Sequence, residues 1–490
     1  MFSPFYYRLS HVWVALTFAI LSNIGLSASS VDVFEKHSDS AFSPLSNVDQ
    51  PPPLLVLLID SLRWDLVHQF EKRTGKSLPG FSHLKTKGFL VERVTPVFPA
   101  ECYPNLISLL TGLYPVEHGA LFTSLYDQAN NETFHPNIGN TSYTKALSVL
   151  NSKFSSNNRL HLYHLPVCSD VDSDSVRCTA YSAEQMNSES LYDNLKVAVS
   201  RLSNGSSSVA VVYYDRLDQI GHLHGPLSDE ILLSELPSLD EIIVQLIEDL
   251  LPSAGRDINL MLTADHGMTS VRARELLDRY ISPDLVHKVI NRGSTVSIWP
   301  AKDQFDKLQS RLNSERIQRF SFHTSTQLPP SWRSGGSRFP PILLVAKPGV
   351  IIDSSYWPIQ SSHYPPPSVL RGAHGYDVSH KDMHVPLFIW GPQVHPELIE
   401  TKAPWDQVRT HQLIMALTRT QSQYGAPHAA LYTYLTMLRN GRFPLHLVLC
   451  VIFVFVGFYL LAFTIIWRVR RANPELEEYE KLVHSDLITA

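Results

Sequence analysis

The sequence predicts an α/β fold, with a mostly parallel central sheet flanked by helices and one transmembrane helix near the C-terminus. Short continuous apolar runs are typical of strands buried on both faces of a parallel sheet. Two helical stretches, Ser190 to Arg201 and Leu239 to Leu250, fit between such strands. The apolar runs are Leu54 to Ile59, Val209 to Tyr214 and Ile258 to Thr263.

An acidic residue follows each apolar run. Asp60, Asp218 and Asp265 stand just past the carboxyl ends of the three predicted strands. Ligand sites in open α/β sheets gather at that edge, so we expect the functional site there. The segment from Asp278 to Ile359 is predicted to be irregular, and it contains the proline-rich stretch RFPPILLVAKPGV.

The N-terminal end has the pattern of a cleaved signal peptide. Arg8 and His11 precede an apolar run from Val12 to Leu26, and the small residues that a signal peptidase accepts follow at 27–30. Residues 1–30 are therefore predicted to be a signal peptide. Residues 31–53 are polar, end in three prolines and have the composition of a linker.

The C-terminal end has the pattern of a membrane anchor. Residues 445–467 are apolar, and 23 residues at a rise of about 1.5 Å extend roughly 34 Å, enough to cross a bilayer. The arginines at 468, 470 and 471 belong on the cytoplasmic side. This predicts a single-pass type I protein of the plasma membrane, with an extracellular body, a juxtamembrane segment at 437–444 and a cytoplasmic tail at 468–490. A buried core helix is the disfavoured alternative, because core helices are seldom apolar all round over such a length.

Charge and composition narrow the function classes. The net charge of -5 and the isoelectric point near 6.5 give no basic footprint for a polynucleotide. With 490 residues, 44% of them hydrophobic, the chain is long and apolar enough to be an enzyme. Glycosylation sequons begin at Asn131, Asn140 and Asn204, in keeping with an extracellular body.

The four cysteines agree with an oxidising compartment. Cys168 and Cys178 lie in a polar stretch and could close a short disulfide loop, while Cys450 falls in the predicted membrane span. Cys102 is left over. Intermolecular pairing, a reactive thiol and simple burial are all open for such a residue.

Six further residues form a pattern of metal ligands. Three aspartates and three histidines suffice for two divalent ions with three protein ligands each, which leaves coordination positions free for a substrate. Taken singly, His374 would more often be a surface histidine and Asp60 a helix cap. The candidates are Asp60 in LLVLLIDSLRWD, Asp218 and His222 in DQIGH, Asp265 and His266 in TADHGM, and His374 in GAHGYD.

Together with PVFPAECYPNLISLLTGLYPVEHG from Pro96 to Gly119, these motifs resemble those of the ecto-nucleotide pyrophosphatase/phosphodiesterases. Their order and approximate spacing are similar to this family of the alkaline phosphatase superfamily from about Leu54 to about Leu435. The resemblance implies an alkaline-phosphatase-like fold, with a single catalytic domain over residues 54–436.

The resemblance also implies a cofactor of two Zn²⁺ ions. By resemblance, one ion is held by Asp60, Asp265 and His266 together with the nucleophile. The other is held by Asp218, His222 and His374. Two such ions clamp the attacking and leaving oxygens of an in-line phosphoryl displacement.

Two residues depart from the family pattern. The family keeps its threonine nucleophile in Thr-Lys-Thr-Phe-Pro-Asn, and here Cys102 takes that position in Ala-Glu-Cys-Tyr-Pro-Asn. The family also places an asparagine that donates to the phosphoryl oxygen just beyond TGLYP-x-x-HG, and here that position is Thr123. The resemblance therefore makes Cys102 and Thr123 the catalytic candidates.

Three fates are open for Cys102. As a thiolate it could attack phosphorus. It could instead complete a closed four-coordinate zinc site, which would slow or abolish turnover. Thr123 would add to that loss, since removing one oxyanion donor costs about 10² to 10³ in rate. Conversion to formylglycine, as in sulfatases, would use the motif C-x-P-x-R, and the segment from Cys102 to Leu106 lacks its arginine.

Nucleotides are the leading substrate class by resemblance. In nucleotide-cleaving relatives two aromatic rings sandwich the base, and the corresponding residues are Tyr103 and Tyr213. The alternative for both tyrosines is packing in the core. Some family members act on choline phospholipids, so a lipid head group is also open.

Two hypotheses follow. In the first, a zinc-dependent ectoenzyme splits phosphodiester or pyrophosphate bonds of extracellular nucleotides and releases nucleoside 5′-monophosphates through a covalent intermediate on Cys102. In the second, the chain is a membrane-tethered pseudoenzyme that binds nucleotide or a partner. Neither hypothesis specifies an oligomeric state.

Overall fold

The computed structural model describes most of the chain between residues 51 and 418. Packing divides the chain into two compact units, Met1–Ala426 and Pro427–Ala490, and the second lies wholly outside the described residues. The predicted signal peptide, most of the linker, the sequon at Asn140, the membrane span with Cys450 and the tail also lie outside them. None of the helices within the described part is both long and apolar enough to cross a bilayer. The described residues are 51–134, 150, 152, 154, 159–170, 173–180, 187–314, 317–357, 370–392, 394 and 405–418.

An eight-stranded sheet forms the centre of the fold. Five of its pairings are parallel, and one strand, β17, runs antiparallel to both neighbours. In spatial order the strands are β18 (Trp405–Asp406), β2 (Phe89–Thr95), β17 (Val385–Trp390), β8 (Asn259–Thr263), β1 (Leu54–Ile59), β7 (Val209–Tyr214), β5 (Leu160–Tyr163) and β6 (Val176–Thr179).

The three strands predicted from apolar runs are confirmed. β1 and β7 have the predicted bounds, and β8 begins one residue later than predicted. All residues of the three strands are buried, and β1 lies between the other two. Burying each aliphatic side chain stabilises the fold by about 1.5–3 kcal/mol, which is why continuous apolar runs occupy the centre of the sheet.

Helices alternate with these strands, as the sequence predicts. The stretch Ser190 to Arg201 lies in α5, where the Asn187 side chain caps the helix by accepting from the Ser190 N–H at 2.9 Å. The stretch Leu239 to Leu250 lies in α7 and the π-helical turn Leu246–Leu250 that continues it. The α-helices are α1 (Leu66–Thr74), α2 (Pro79–Lys87), α3 (Cys102–Thr111), α4 (Pro115–His118), α5 (Ser188–Ser203), α6 (Arg216–His224), α7 (Leu236–Gln245), α8 (Phe305–Ser314) and α9 (Gln407–Leu417).

The prediction of an irregular segment from Asp278 to Ile359 is wrong. Four antiparallel strands form a second sheet there, in the order β11, β12, β14, β13. The strands are short and separated by turns and by α8, β11 and β13 are only partly buried, and prolines stand at the end of β12 and directly before β14, so the strand signal is weak. Their bounds are β11 (Val286–Ile290), β12 (Thr295–Pro300), β13 (Phe320–Thr324) and β14 (Ile342–Ala346).

Three two-stranded ladders complete the described strands. One of them, β9 with β16, lies immediately next to candidate ligands in the sequence. The ladders are β3 (Leu125–Asp127) with β4 (Glu132–Phe134), β9 (Thr269–Ser270) with β16 (Gly372–Ala373), and β10 (Ala273–Leu276) with β15 (Val350–Asp353).

The cysteines pair as the sequence allows. Cys168 and Cys178 form a disulfide that connects the segment after β5 to the edge strand β6. Cys102 is a free thiol at the first position of α3. The disulfide therefore braces an edge of the sheet and leaves Cys102 for the site.

Candidate active site

The six predicted ligands converge at the carboxyl edge of the central sheet. Asp60 directly follows β1, and Asp265 and His266 come just after β8. Asp218 and His222 are one turn apart on α6, which begins just after β7. His374 directly follows β16, whose partner β9 comes shortly after His266. The rule that sites form where parallel strands end therefore predicts their meeting correctly.

Asp218, His222 and His374 form the first ligand group. His222 Nε2 lies 3.2 Å from Asp218 Oδ2, and His374 Nε2 lies 3.5 Å from Asp218 Oδ1. The opposite ring nitrogens are anchored to backbone carbonyls, with His222 Nδ1 at 2.9 Å from Gly372 O and His374 Nδ1 at 3.1 Å from Ala100 O. Carbonyls only accept, so each Nδ1 carries the proton and each Nε2 presents its lone pair to the group.

Asp60, Cys102, Asp265 and His266 form the second ligand group. His266 Nε2 lies 3.2 Å from Cys102 Sγ, 3.5 Å from Asp60 Oδ1 and 3.7 Å from Asp265 Oδ2. Cys102 Sγ is also 3.7 Å from Asp60 Oδ2. The two groups adjoin, because the His266 and His374 rings stack with centroids 3.9 Å apart.

The donor set fits bound cations. Within each group the ligand atoms all lie within 4.8 Å of one another. Asp60 Oδ1 and Asp265 Oδ2 are buried oxygens without a hydrogen-bond partner among the described residues. Such oxygens are rare in proteins because their desolvation is costly. Imidazole, carboxylate and thiolate donors together suit a transition-metal ion, which would give these oxygens a partner.

Three acidic groups of the site, on Asp60, Asp265 and Cys102, resist ionisation in the absence of a counter-charge. Burial raises the pKa of Asp60 well above its ordinary value, and the charges of Asp265 and Asp218 raise it further. Burial raises the pKa of Asp265 to about 7. Burial also raises the pKa of the Cys102 thiol, with Asp60 as the next contributor. A bound cation would reverse these directions, because it favours the charged form of each group.

The pKa values of the three histidines shift in different directions, according to burial and the charges around each ring. Burial lowers the pKa of His266 to about 4 and that of His374 well below its ordinary value, so both rings are neutral near pH 7. Burial also opposes charge on His222, but Asp218 outweighs it and raises the pKa of His222. The pKa of Asp218 lies below its ordinary value because His222 and the other two rings outweigh burial. Neutral imidazoles are the form that binds metal.

Thr123 is held by Glu101. The Thr123 N–H donates to Glu101 Oε2 at 2.7 Å, and the Thr123 side chain also hydrogen-bonds to this carboxylate. Thr295 Oγ1, at the start of β12, donates to Glu101 Oε1 at 3.1 Å. Thr123 thus has a protein partner beside the site, and its role as a donor to the phosphoryl oxygen stays a prediction.

Tyr213 and Tyr103 lie beside the ligands with buried side chains. Tyr213 is 3% exposed and donates its hydroxyl to Asp60 Oδ2, so it orients a ligand. Tyr103 follows Cys102 on α3 and is 1% exposed. This burial agrees with the packing alternative, and stacking of a nucleotide base on these rings stays a prediction.

Sequence reasoning missed three residues that support the ligands. Ser61 contacts Asp218 and His266, Arg63 donates to Met268 O at 3.3 Å, and Glu101 holds Thr123. Their signal is proximity, because each lies within three residues of Asp60 or Cys102.

Comparison with known proteins identifies the family. The family described as type I phosphodiesterase / nucleotide pyrophosphatase matches residues 54–377. The chain is similar to bis(5'-adenosyl)-triphosphatase ENPP4 of Homo sapiens, with 25% identity over 369 residues, 73% of this chain and 76% of that protein. It is 27% identical to ectonucleotide pyrophosphatase/phosphodiesterase family member 5 of Homo sapiens over 353 residues, 69% of each.

Solved structures share the fold. Human ENPP5 matches with a TM-score of 0.64 at 23% identity, covering 76% of this chain and 96% of that one. An inactive threonine-to-alanine form of murine ENPP5 in complex with AMP matches with a TM-score of 0.64 at 24% identity, covering 76% and 97%. The family is metal-dependent, in agreement with the two ligand groups. The chain belongs to the type I phosphodiesterase / nucleotide pyrophosphatase family of the alkaline phosphatase superfamily, and it is a hydrolase of that type.

Proposed function

We propose that this chain is a zinc-dependent ectoenzyme that hydrolyses phosphodiester or pyrophosphate bonds of nucleotides and releases nucleoside 5′-monophosphates. One observation carries the proposal: the Cys102 thiol stands where the two ligand groups meet, 3.2 Å from His266 Nε2. The names of relatives support the substrate class, since ENPP4 is a bis(5'-adenosyl)-triphosphatase and murine ENPP5 was solved with AMP.

In this proposal the second group, with Asp60, Asp265 and His266, holds one zinc ion, and Asp218, His222 and His374 hold the other. When bound, the two ions neutralise the buried acidic groups and stabilise negative charge that develops on the phosphoryl oxygens. The protein contributes orientation. Backbone carbonyls fix the His222 and His374 rings, and the Tyr213 hydroxyl fixes Asp60.

Cys102 is the nucleophile in the proposed reaction. It begins α3, where the unpaired N–H groups of the first turn favour an anion. Its thiolate attacks phosphorus, so that an S–P bond forms while the P–O bond to the leaving group breaks, and the leaving oxygen takes a proton. Water then attacks the same phosphorus. The S–P bond breaks, a P–O bond forms, and the monophosphate leaves while the thiol is restored.

A second candidate function is binding of nucleotide without turnover. It is favoured by the make-up of the second group, in which Asp60, Cys102, Asp265 and His266 supply four donors. Four protein donors are typical of closed structural zinc sites, and a thiolate is a tight ligand. In this case Cys102 would stay on the metal.

The proposal includes a type I membrane topology with the catalytic domain outside. Its basis is the signal-like segment at 1–30 and the apolar segment at 445–467, both beyond the described residues. The two described sequons, at Asn131 and Asn204, are exposed and agree with it.

The test uses the purified full chain with p-nitrophenyl thymidine 5′-monophosphate and with diadenosine triphosphate, before and after zinc is removed by a chelator. We expect turnover that chelation abolishes, that returns with zinc, and that Cys102→Ala eliminates. Cys102→Ser serves as the matched variant, because it keeps the size of the side chain and supplies a hydroxyl in place of the thiol.

An inert parent that still binds zinc would contradict turnover. If Cys102→Thr combined with Thr123→Asn then gained activity, the binding function would be the right one. Trapping the intermediate by acid quench distinguishes covalent catalysis on Cys102 from hydrolysis without a covalent intermediate. The proposal expects a nucleoside monophosphate joined through phosphorus to the peptide that contains Cys102, and rapid turnover without it would contradict covalent catalysis.

A further inference from the structure

We propose that Ser61 is a positioning residue whose hydroxyl couples the two ligand groups. Ser61 Oγ donates to Asp218 Oδ1 at 2.7 Å, and it lies 3.3 Å from His266 Nδ1. Asp218 belongs to one ligand group and His266 to the other. The inference rests on the proposed function only in assuming that both groups bind a metal ion.

The directions of the hydrogen bonds form a consistent chain. His266 Nδ1 also lies 3.0 Å from Gly267 O, which only accepts, so the His266 proton is on Nδ1. The Nδ1–H of His266 therefore points to Gly267 O and to the Ser61 oxygen. The Ser61 hydroxyl donates its one proton to Asp218. His266 Nε2 is left as a lone pair that faces Asp60 and Cys102. Partners of this kind fix the tautomer and orientation of a metal-binding histidine.

The same hydroxyl orients Asp218. With Oδ1 accepting from Ser61, the other oxygen, Oδ2, faces His222 Nε2 at 3.2 Å. Ser61 is 4% exposed, so bulk water does not compete for its hydroxyl. A displacement of Ser61 would therefore move a ligand in each group together.

The backbone of Ser61 points to the same role. Its φ is 60°, in the left-handed region that glycine occupies readily and serine rarely does. Glycine would fit this turn with less strain but would leave Asp218 and His266 without the shared hydroxyl. The strain is thus offset by contacts that only a hydroxyl-bearing residue makes.

The test measures metal binding by the full chain, with activity as a separate assay. Metal-free parent, Ser61→Ala and Ser61→Gly are titrated with zinc against a chromophoric chelator, which yields a dissociation constant for each ion. The matched control is Ser108→Ala. Ser108 is also a buried serine that contacts a histidine ring, with Oγ 2.9 Å from His118 Nε2, but outside the site.

We expect both Ser61 variants to bind each of the two ions about 10- to 100-fold more weakly, the usual cost of losing a residue that supports metal ligands. Ser108→Ala should bind both ions like the parent. In the metal-free state Ser61→Gly should melt at a higher temperature than Ser61→Ala, because glycine relieves the left-handed backbone. Ser61→Gly therefore decides the question even if Ser61→Ala fails to fold.

Unchanged zinc affinity in Ser61→Gly would overturn the proposal. A loss confined to one ion would overturn it as well, because the hydroxyl would then serve one group only. A parent that binds both ions but hydrolyses no nucleotide contradicts the proposed reaction and not the role of Ser61. A parent that binds neither ion contradicts both.

Discussion

The Cys102 thiol lies among acidic side chains that oppose its ionisation. Burial raises the pKa of this thiol most, and the charges of Asp60, Asp265, Asp218 and Glu101 raise it further. The aspartates are candidate ligands, so a bound cation offsets their charge. Glu101 is different, because its carboxylate is already occupied by the Thr123 N–H and the Thr295 hydroxyl. Burial raises the pKa of Glu101, but these hydrogen bonds favour its charged form, and that charge adds to the raised pKa of the Cys102 thiol.

Glu101→Gln is therefore expected to make Cys102 more reactive. Glutamine has nearly the same shape and can still accept from Thr123, but it carries no charge. In metal-free protein at mildly alkaline pH, we expect alkylation of Cys102 by iodoacetamide to become severalfold faster. Mass spectrometry of the peptide that contains Cys102 gives the rate.

Glu92→Gln is the control for this change, because Glu92 is a partly exposed glutamate on β2. It should leave the alkylation rate as in the parent. An equal rate in parent and Glu101→Gln would show that the Glu101 charge does not reach the thiol.

Among the elements, the loop that follows β1 is tied to the loop that follows β8 by a buried arginine. Arg63 Nη2 donates to Asp65 Oδ2 at 2.9 Å, and Arg63 Nη1 donates to Met268 O at 3.3 Å. Asp382 Oδ2 lies 3.6 Å from Arg63 Nη1 and accepts from Thr269 Oγ1 at 2.7 Å. The bond from Arg63 to Met268 O thereby joins the loop that carries Asp60 to the loop that carries Asp265 and His266.

Asp65→Asn tests this connection through its pH dependence. Burial alone would raise the pKa of Asp65, but the hydrogen bonds and charge of Arg63 outweigh burial and lower it. Because the pKa of Asp65 is lower in the folded protein than in the unfolded chain, its ionised form stabilises the fold at pH values above the unfolded pKa of about 3.9. This stabilisation is lost as the pH falls through the pKa of the folded state. Breaking a buried pair costs about 3 kcal/mol, so we expect a loss of that order at neutral pH in urea unfolding.

The loss should shrink as the pH approaches the acid end of the range, where Asp65 of the parent is protonated as well. Asp257→Asn changes an exposed aspartate and should alter stability little at any pH. A deficit in Asp65→Asn that is the same at neutral and acid pH would argue against the ion pair as its cause.

Apolar runs in the sequence predict the central strands of the large sheet but not the strands of the second sheet. β1, β7 and β8 are buried along their whole length, so their sequences are apolar throughout and recognisable. β11 and β13 mix buried, half-buried and exposed positions over five residues each, without the regular alternation by which a half-buried strand is recognised. β12 and β14 are buried almost throughout, but prolines at 300, 341 and 348 lie within or beside them and disfavour a strand prediction. The second sheet is therefore not apparent from the sequence, although its strand β12 supplies Thr295 to the site.

In the whole molecule, the site depends on contacts between segments far apart in the chain. The meeting of the six candidate ligands could be predicted, because each follows a recognisable strand or motif and parallel strands end at one edge. The sequence shows only that Ser61 is next to Asp60, because its left-handed backbone and its contact with Asp218 appear only when β1 and β7 lie side by side. Glu101 likewise gains its role from Thr295, 194 positions along the chain.

The proposed orientation of the molecule across a membrane can be tested at two exposed sequons. Asn131 lies in the turn between β3 and β4, and Asn204 caps the C-terminal end of α5. N-glycans are added only on the luminal side of the secretory pathway, so a type I protein receives them at both positions. For the full chain made in a eukaryotic host, we expect a glycosidase to increase gel mobility.

Asn131→Gln and Asn204→Gln should each remove one glycan. The control is Asn313→Gln, which changes an exposed asparagine of α8 outside any sequon and should remove none. A chain whose mobility the glycosidase leaves unchanged would count against the proposed orientation.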